Sequence, residues 1–341
     1  MWQVLRANPF FVSCLLSSLL LGVWRLRFPE CGLPRLATLF LPIWSIGSTL
    51  FLGISALLTP ATLDHYLYLA DGSFGFQPAF AGARLLLANG WLWKACEISY
   101  FNLPLGLTLI YLLSLRRDRA RAREFLCFAV LVAAAGFVIY LIFPAVGPAA
   151  MFKSGFPSGT PHVSPGRTVV GITARNCIPS LHTAWIIVLL WGTAAAPRWM
   201  RPGLWIFSAC NLLYALSAGG HYLVDLIVAV PFTLAVHHAM RREWRSAAFV
   251  GNALLVALWL TTLRYGIPAL EAAYLAPYGL TAVTLAFGYR TRPRAALSPD
   301  SGHGARVQPV RLEPAAVPLE LRTRPVPSQV VHPFEHRHIE S

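Results

Sequence analysis

The sequence predicts an all-α fold, a polytopic bundle of transmembrane helices. Three observations carry this. Hydrophobic residues fill 56% of the 341 positions and charged residues only 12%, where soluble domains carry roughly 25% charged. The mean hydropathy is +0.56. Apolar runs near the length that crosses a bilayer recur along the chain, with short arginine clusters between them.

The runs fall at 9–24, 38–58, 98–115, 125–143, 181–196, 203–220, 221–239, 247–263 and 268–289. The first lacks the basic start and small-residue cleavage site of a signal peptide. Residues 1–58 read as N-terminal spans and 241–290 as C-terminal spans. Arg25, Arg27 and Arg35 follow the first run, and Arg116, Arg117, Arg119, Arg121 and Arg123 follow the third. Arg198 and Arg201, then Arg241, Arg242 and Arg245, then Arg290, Arg292 and Arg294 mark alternate later loops. The positive-inside rule places all of these in the cytoplasm. Segments 59–97 and 144–180 and the junction near 220 then fall on the extracytoplasmic side, periplasmic or lumenal.

Segment 59–97 carries Trp91, Trp93, tyrosines, Asp64 and Asp71. It reads as interfacial helices, with the two aspartates as caps or solvated acids. Residues 291–341, rich in Pro, Arg, His and Ser, read as a disordered cytoplasmic tail. Its His332, His336 and His338 are better explained by solvation than by a metal. No internal repeat is visible. The net charge of +14 does not imply nucleic acid, because the arginines sit at span ends and form no groove-like patch. Six cysteines show no CxxC spacing, against structural zinc or a redox pair. Cys14, Cys127 and Cys210 lie within apolar runs as small hydrophobes. Cys96 and Cys177 flank extracytoplasmic segments, which leaves a disulfide between them open.

Two strings stand out, Pro179-Ser180-Leu181-His182-Thr183 and Gly219-Gly220-His221-Tyr222-Leu223-Val224-Asp225. Each puts a histidine at the start of an apolar run, and Asp225 follows His221 by one helical turn. Ionisable residues at such depth are costly and by default functional. Either histidine alone would serve equally as a packed core residue. The span alternation, however, puts both at the same membrane surface. Ser180, Leu181 and His182 offer backbone N–H groups at a helix N-terminus, an anion cradle. Arg175, Arg167 and Lys153 are cations on the same outer loop, and Gly219 and Gly220 let backbone approach closely. Asp225 can orient one ring nitrogen of His221 and leave the other free. Phosphoryl transfer needs this set: a nucleophile, a proton donor and positive groups around the oxygens.

Both strings resemble the second and third signatures of the type 2 phosphatidic acid phosphatase superfamily. Their form is similar to that of the branch containing inositol phosphorylceramide synthases. Phe143-Pro144-Ala145-Val146-Gly147-Pro148 resembles the proline-rich segment of that branch. The likeness spans roughly residues 60–240. It implies a six-helix catalytic core over 59–240, with His221 forming a phosphohistidine, His182 as general acid and base, and Asp225 as the partner of the nucleophile. It implies no metal and no cofactor. The expected substrates are a phospholipid donor and a hydroxyl-bearing acceptor within membrane lipid. Two departures stand out: the lysine-to-Arg-Pro first signature has no counterpart, and Tyr214 and Ala215 replace a Ser-Arg pair. These favour a lipid phosphotransferase moving a phosphoinositol-type head group, with a lipid phosphate or pyrophosphate phosphatase as the alternative. A transporter or scaffold fits less well, because the polar residues sit at span ends and transporters favour mid-span sites and repeats. Donor, acceptor and oligomeric state are not legible.

Overall fold

The computed structural model describes residues 9–29, 37–171, 173–273 and 275–292. From residue 293 on, the predicted tail lies outside them, with its three histidines.

The described chain is a helical bundle. Before the first histidine string it runs α1 (Pro9–Arg27), α2 (Ala37–Leu58), β1 (Ala61–Thr62), α3 (Asp64–Gly72), α4 (Pro78–Leu87), α5 (Gly90–Phe101), α6 (Leu103–Arg117), α7 (Arg119–Ile142), α8 (Pro148–Phe152) and β2 (Thr168–Val169). It continues as α9 (Leu181–Gly192), α10 (Arg201–Ser217), α11 (Leu223–Met240), α12 (Ala247–Tyr265), α13 (Ile267–Ala272) and α14 (Ala276–Thr291).

Local chemistry explains the ends. Asp118 caps α7 by accepting from Ala120 N and Arg121 N, and Ser246 caps α12 by accepting from Phe249 N. Proline opens α4, α6, α10, α13 and α14 within the first two positions, where a missing N–H costs nothing.

Helices α1, α7, α11 and α12 are each long and apolar enough to cross a membrane, and α5 with α6 makes a fifth candidate, bent by 54°. The bend falls where Pro104 cannot donate to the carbonyl one turn back, in α5. Helix α5 leads into α6 as part of this bent candidate, and both α4 and α5 pack on α10. Ile43–Leu58 and Leu181–Ala195 are shorter apolar helices. The run at 268–289 is broken between α13 and α14. The array is that of a multi-pass membrane protein.

Helix α11 is the centre of the bundle, packed on α7, α9, α12 and α14 and touching α3 at its outer end. Small residues allow the close approaches. Gly136 of α7 faces Leu181, and Gly192 of α9 faces Ile110 and Phe125, so a Cβ at either would overlap a buried side chain.

The irregular segment 143–147, between α7 and α8, joins the loops at the His221 end of the bundle. Pro144 O accepts from Leu63 N and Ala145 O accepts from Cys177 N, while Ala149 N donates to Gly219 O. Gly147 (φ 89°) and Gly219 (φ 72°) both lie in the left-handed region. A Cβ on Gly147 would sit 2.5 Å from Gly220 O and 2.8 Å from Gly219 O. Because the obstacle is backbone, it cannot rotate aside. Gly147→Ala should therefore cost about 2–5 kcal/mol, combining positive-φ strain with overpacking. A lowered midpoint of thermal unfolding in detergent checks this.

Candidate active site

His221 sits in the turn between α10 and α11, buried with 2% exposure. Its Nδ1 lies 2.9 Å from Cys177 O. A carbonyl can only accept, so Nδ1 carries the proton and Nε2 is the nitrogen left for chemistry. Asp225 Oδ2 lies 3.6 Å from the same Nδ1. The carboxylate adds charge support, while the direct hydrogen bond that sets the tautomer comes from a backbone carbonyl. That role was not legible in the sequence.

Asp225 works mainly as a helix cap. At the third position of α11, its Oδ2 accepts from Tyr222 N at 2.8 Å and from Cys177 Sγ at 2.6 Å. Burial beside Asp225 and Asp64 pushes the Cys177 thiol well up, so it is the S–H that donates. Cys96 and Cys177 are both free thiols, which settles the disulfide left open above. Cys177, His221 and Asp225 also form a group whose ligand atoms lie within 4.8 Å of one another. In this arrangement Nδ1 and Sγ already donate and Oδ2 already accepts. A metal ion taking Sγ and Nδ1 would have to displace the protons those two atoms donate, while Asp225 Oδ1 is buried with no partner among the described residues.

Asp64 and Asp71 are fully buried, which corrects the solvated reading. Asp71 accepts from Leu223 N (2.8 Å) and Val224 N (3.0 Å), the first two N–H groups of α11. Asp64 accepts from Val146 N, Gly147 N and Tyr222 OH. Burial raises Asp64 to about 6 and Asp71 to about 8, and the backbone donors pull both the other way.

His182, at the start of α9, faces His221 with ring centroids 6.1 Å apart. Its ring stacks on Tyr100 at 3.9 Å and 13°, and its Nε2 is buried with no partner among the described residues. Tyr100, from α5, went unnoticed in the sequence because it belongs to a distant apolar run. Tyr140 OH donates to Pro179 O and steadies the same turn.

The predicted phosphate ligands fare unequally. Arg175 is fully buried, and its donors all go to carbonyls. Nε bonds Thr59 O, Nη1 bonds Gly171 O and Thr173 O, and Nη2 bonds Pro60 O and Val170 O. With five N–H groups spent, Arg175 rivets the two sides of the β1–β2 ribbon and has none left for substrate. In that ribbon Ala61 opposes Val169. Ser180 is occupied as well. Its N–H donates to Asp225 O, and its Oγ accepts from Thr183 N and Thr183 Oγ1. Leu181 N–H meets the Tyr140 hydroxyl oxygen, and His182 N–H remains as a first-turn donor without an intrahelical acceptor. Gly220 presents its carbonyl to Cys177 Sγ at 3.5 Å. Lys153 and Arg167 are exposed, with no ion pair among the described residues. Lys153 follows α8, between Ala149 and Phe156, both of which contact Gly219.

The family model described as the PAP2 superfamily matches residues 65–239, just over half of the chain. The chain belongs to the PAP2 superfamily. No curated protein and no solved structure matches it. Both histidine strings lie within the PAP2 match. Helices α1 and α2 precede it, and α12 to α14 follow it. The membership points to phosphatase-type chemistry on lipid phosphates.

Two outcomes follow. Asp71→Ala orphans two buried N–H groups and should cost about 2–4 kcal/mol, read as a lower unfolding midpoint in detergent. Arg175→Lys keeps the charge but cannot serve five carbonyls. It should lower the unfolding midpoint while leaving the KM for a phosphate ester within about twofold. A raised KM at an unchanged midpoint would make Arg175 a substrate ligand after all.

Proposed function

We propose that the chain is a membrane phosphotransferase acting on lipid phosphate esters at the extracytoplasmic leaflet. It works through a phosphohistidine and passes a phosphoinositol-type head group to a lipid or polyol hydroxyl. One observation supports this most: His221 Nδ1 is tied to a carbonyl, which leaves Nε2 free, while His182 stands across a 6.1 Å gap between ring centroids.

His221 Nε2 attacks phosphorus, the bond to the diacylglycerol oxygen breaks, and protonated His182 gives its proton to that oxygen. The bound phosphate anion favours the protonated His182 ring. Neutral His182 then takes the proton of the acceptor hydroxyl as its oxygen attacks phosphorus and the P–N bond breaks. Two in-line displacements retain configuration at phosphorus. Asp225 and Cys177 O hold the attacking ring. Lys153 and the His182 N–H at the start of α9 neutralise the phosphate oxygens. The replacement of a Ser-Arg pair by Tyr214 and Ala215 favours transfer over hydrolysis.

Purified protein given head-group-labelled phosphatidylinositol, with and without ceramide, tests the reading. Label should move to a lipid product only when the acceptor is present. Release of water-soluble inositol phosphate at the same rate with or without acceptor would instead make the protein a hydrolase. His221→Ala should abolish turnover and any trapped phospho-enzyme, and His182→Ala should slow turnover by about 10²–10⁴. Asp225→Asn should lower activity in a folded protein. Paired losses should fall far short of additive.

A further inference from the structure

Helices α1 and α2 lie outside the family match, yet they border the site. Helix α1 packs on α2 and α6 and touches α5. Between this hairpin and helices α6, α7 and α9 lies a cavity of about 310 Å³, at the lower end of ligand-pocket sizes. No charged side chain lines it. Phe10 and Trp44 come from the hairpin, Leu107 from α6, Phe125 and Ala129 from α7, and Trp185 from α9.

The cavity reaches the catalytic centre. Phe10 and Trp185 both line it, and both meet the His182 ring edge-on, with centroids at 6.2 and 6.4 Å. The Trp185 indole N–H is already spent on Ala129 O at 3.1 Å, so the aromatic mouth offers that donor to no polar guest. A lipid whose phosphorus lies between His182 and His221 has its chains tethered only a few bonds away. One chain can then run past the His182 ring into the cavity, along Phe10 and Trp185.

We propose that this cavity seats one acyl chain of the phosphate-bearing substrate, and that the N-terminal hairpin is thereby a specificity element for chain length. The proposal rests on the lipid phosphotransferase reading above. Its occupant follows from continuity with His182 and from a wall with no charged group. A chain leaving the bilayer for this cavity exchanges one apolar surrounding for another. Seating therefore depends on shape and packing, and selectivity among chains is the property to measure.

The test compares phosphatidylinositol bearing two hexadecanoyl chains with the dibutanoyl form, whose chains are too short to fill the cavity. Ala129→Phe, or independently Val130→Trp, fills the space from the α7 side. Either should lower the ratio of long-chain to short-chain kcat/KM at least tenfold. Leu254→Phe, on the lipid-exposed face of α12, should leave that ratio unchanged. An unchanged ratio in both filled variants overturns the proposal.

A second measurement needs no turnover. A phosphatidic acid with a diazirine in mid-chain should label the cavity-lining stretches of α1, α2 and α7 in the unmodified protein. The matching diacylglycerol, which lacks the phosphate, should not. Equal labelling by both lipids, or labelling confined to outward-facing positions, means ordinary bilayer lipid and overturns the proposal. Labelling of the cavity by a protein inactive on both phosphatidylinositols would sustain the chain site while removing the phosphotransferase reading.

Discussion

The backbone N–H groups around His221 are removed from water, and three buried carboxylates satisfy them. Asp71 takes Leu223 N and Val224 N, Asp225 takes Tyr222 N, and Asp64 takes Val146 N and Gly147 N. Burying a carboxyl group is costly, and the hydrogen bonds it accepts from backbone N–H groups offset that cost. Two of the carboxylates also meet the positive end of the α11 dipole. Without them the turn carrying His221 would hold orphaned donors and could not stay closed. The positions of the 143–147 segment, of the loop at Cys177 and of α11 all follow from these bonds.

His221 is oriented by backbone held in place from several directions. Cys177 O sets the His221 tautomer, Cys177 N is anchored on Ala145 O, and Cys177 Sγ bonds Asp225. Gly147 and Gly219 make this approach possible, since each stands against the other's segment with no room for a Cβ. The proline- and glycine-containing segment after α7 is therefore part of the scaffold that holds His221. Arg175 extends the same economy outward. Its charge is used on five carbonyls, in a ribbon too short to hold itself, so the phosphate must find its cations elsewhere.

The superfamily core and its additions divide the work. The matched segment contains both histidines, Asp225 and most of the scaffold. The N-terminal hairpin, outside the match, closes a wall next to His182 and contributes Phe10 to the ring contacts there. In a bilayer, where lipid tails compete equally for apolar surfaces, such a hairpin gains its place by packing and shape.

Much of the architecture was legible in the sequence because its physics is local. Apolar runs the length of a bilayer, arginines at alternating ends, and a histidine four residues before an aspartate all act over a few residues or a single span. They determined the helical membrane class and the pairing of His182 with His221 at one surface. The distant partners were not legible. Asp64 and Asp71 read as caps or solvated acids, because the loops whose N–H groups they accept lie some 80 to 150 residues away. Arg175 read as a phosphate ligand because a sequence shows a charge and not the carbonyls that consume it. Tyr100 reached His182 only through packing. Charge pattern and periodicity specify which segments leave water. Which buried donor meets which acceptor is decided by three-dimensional closure, since each such group takes whatever partner the finished fold brings within 3 Å or so.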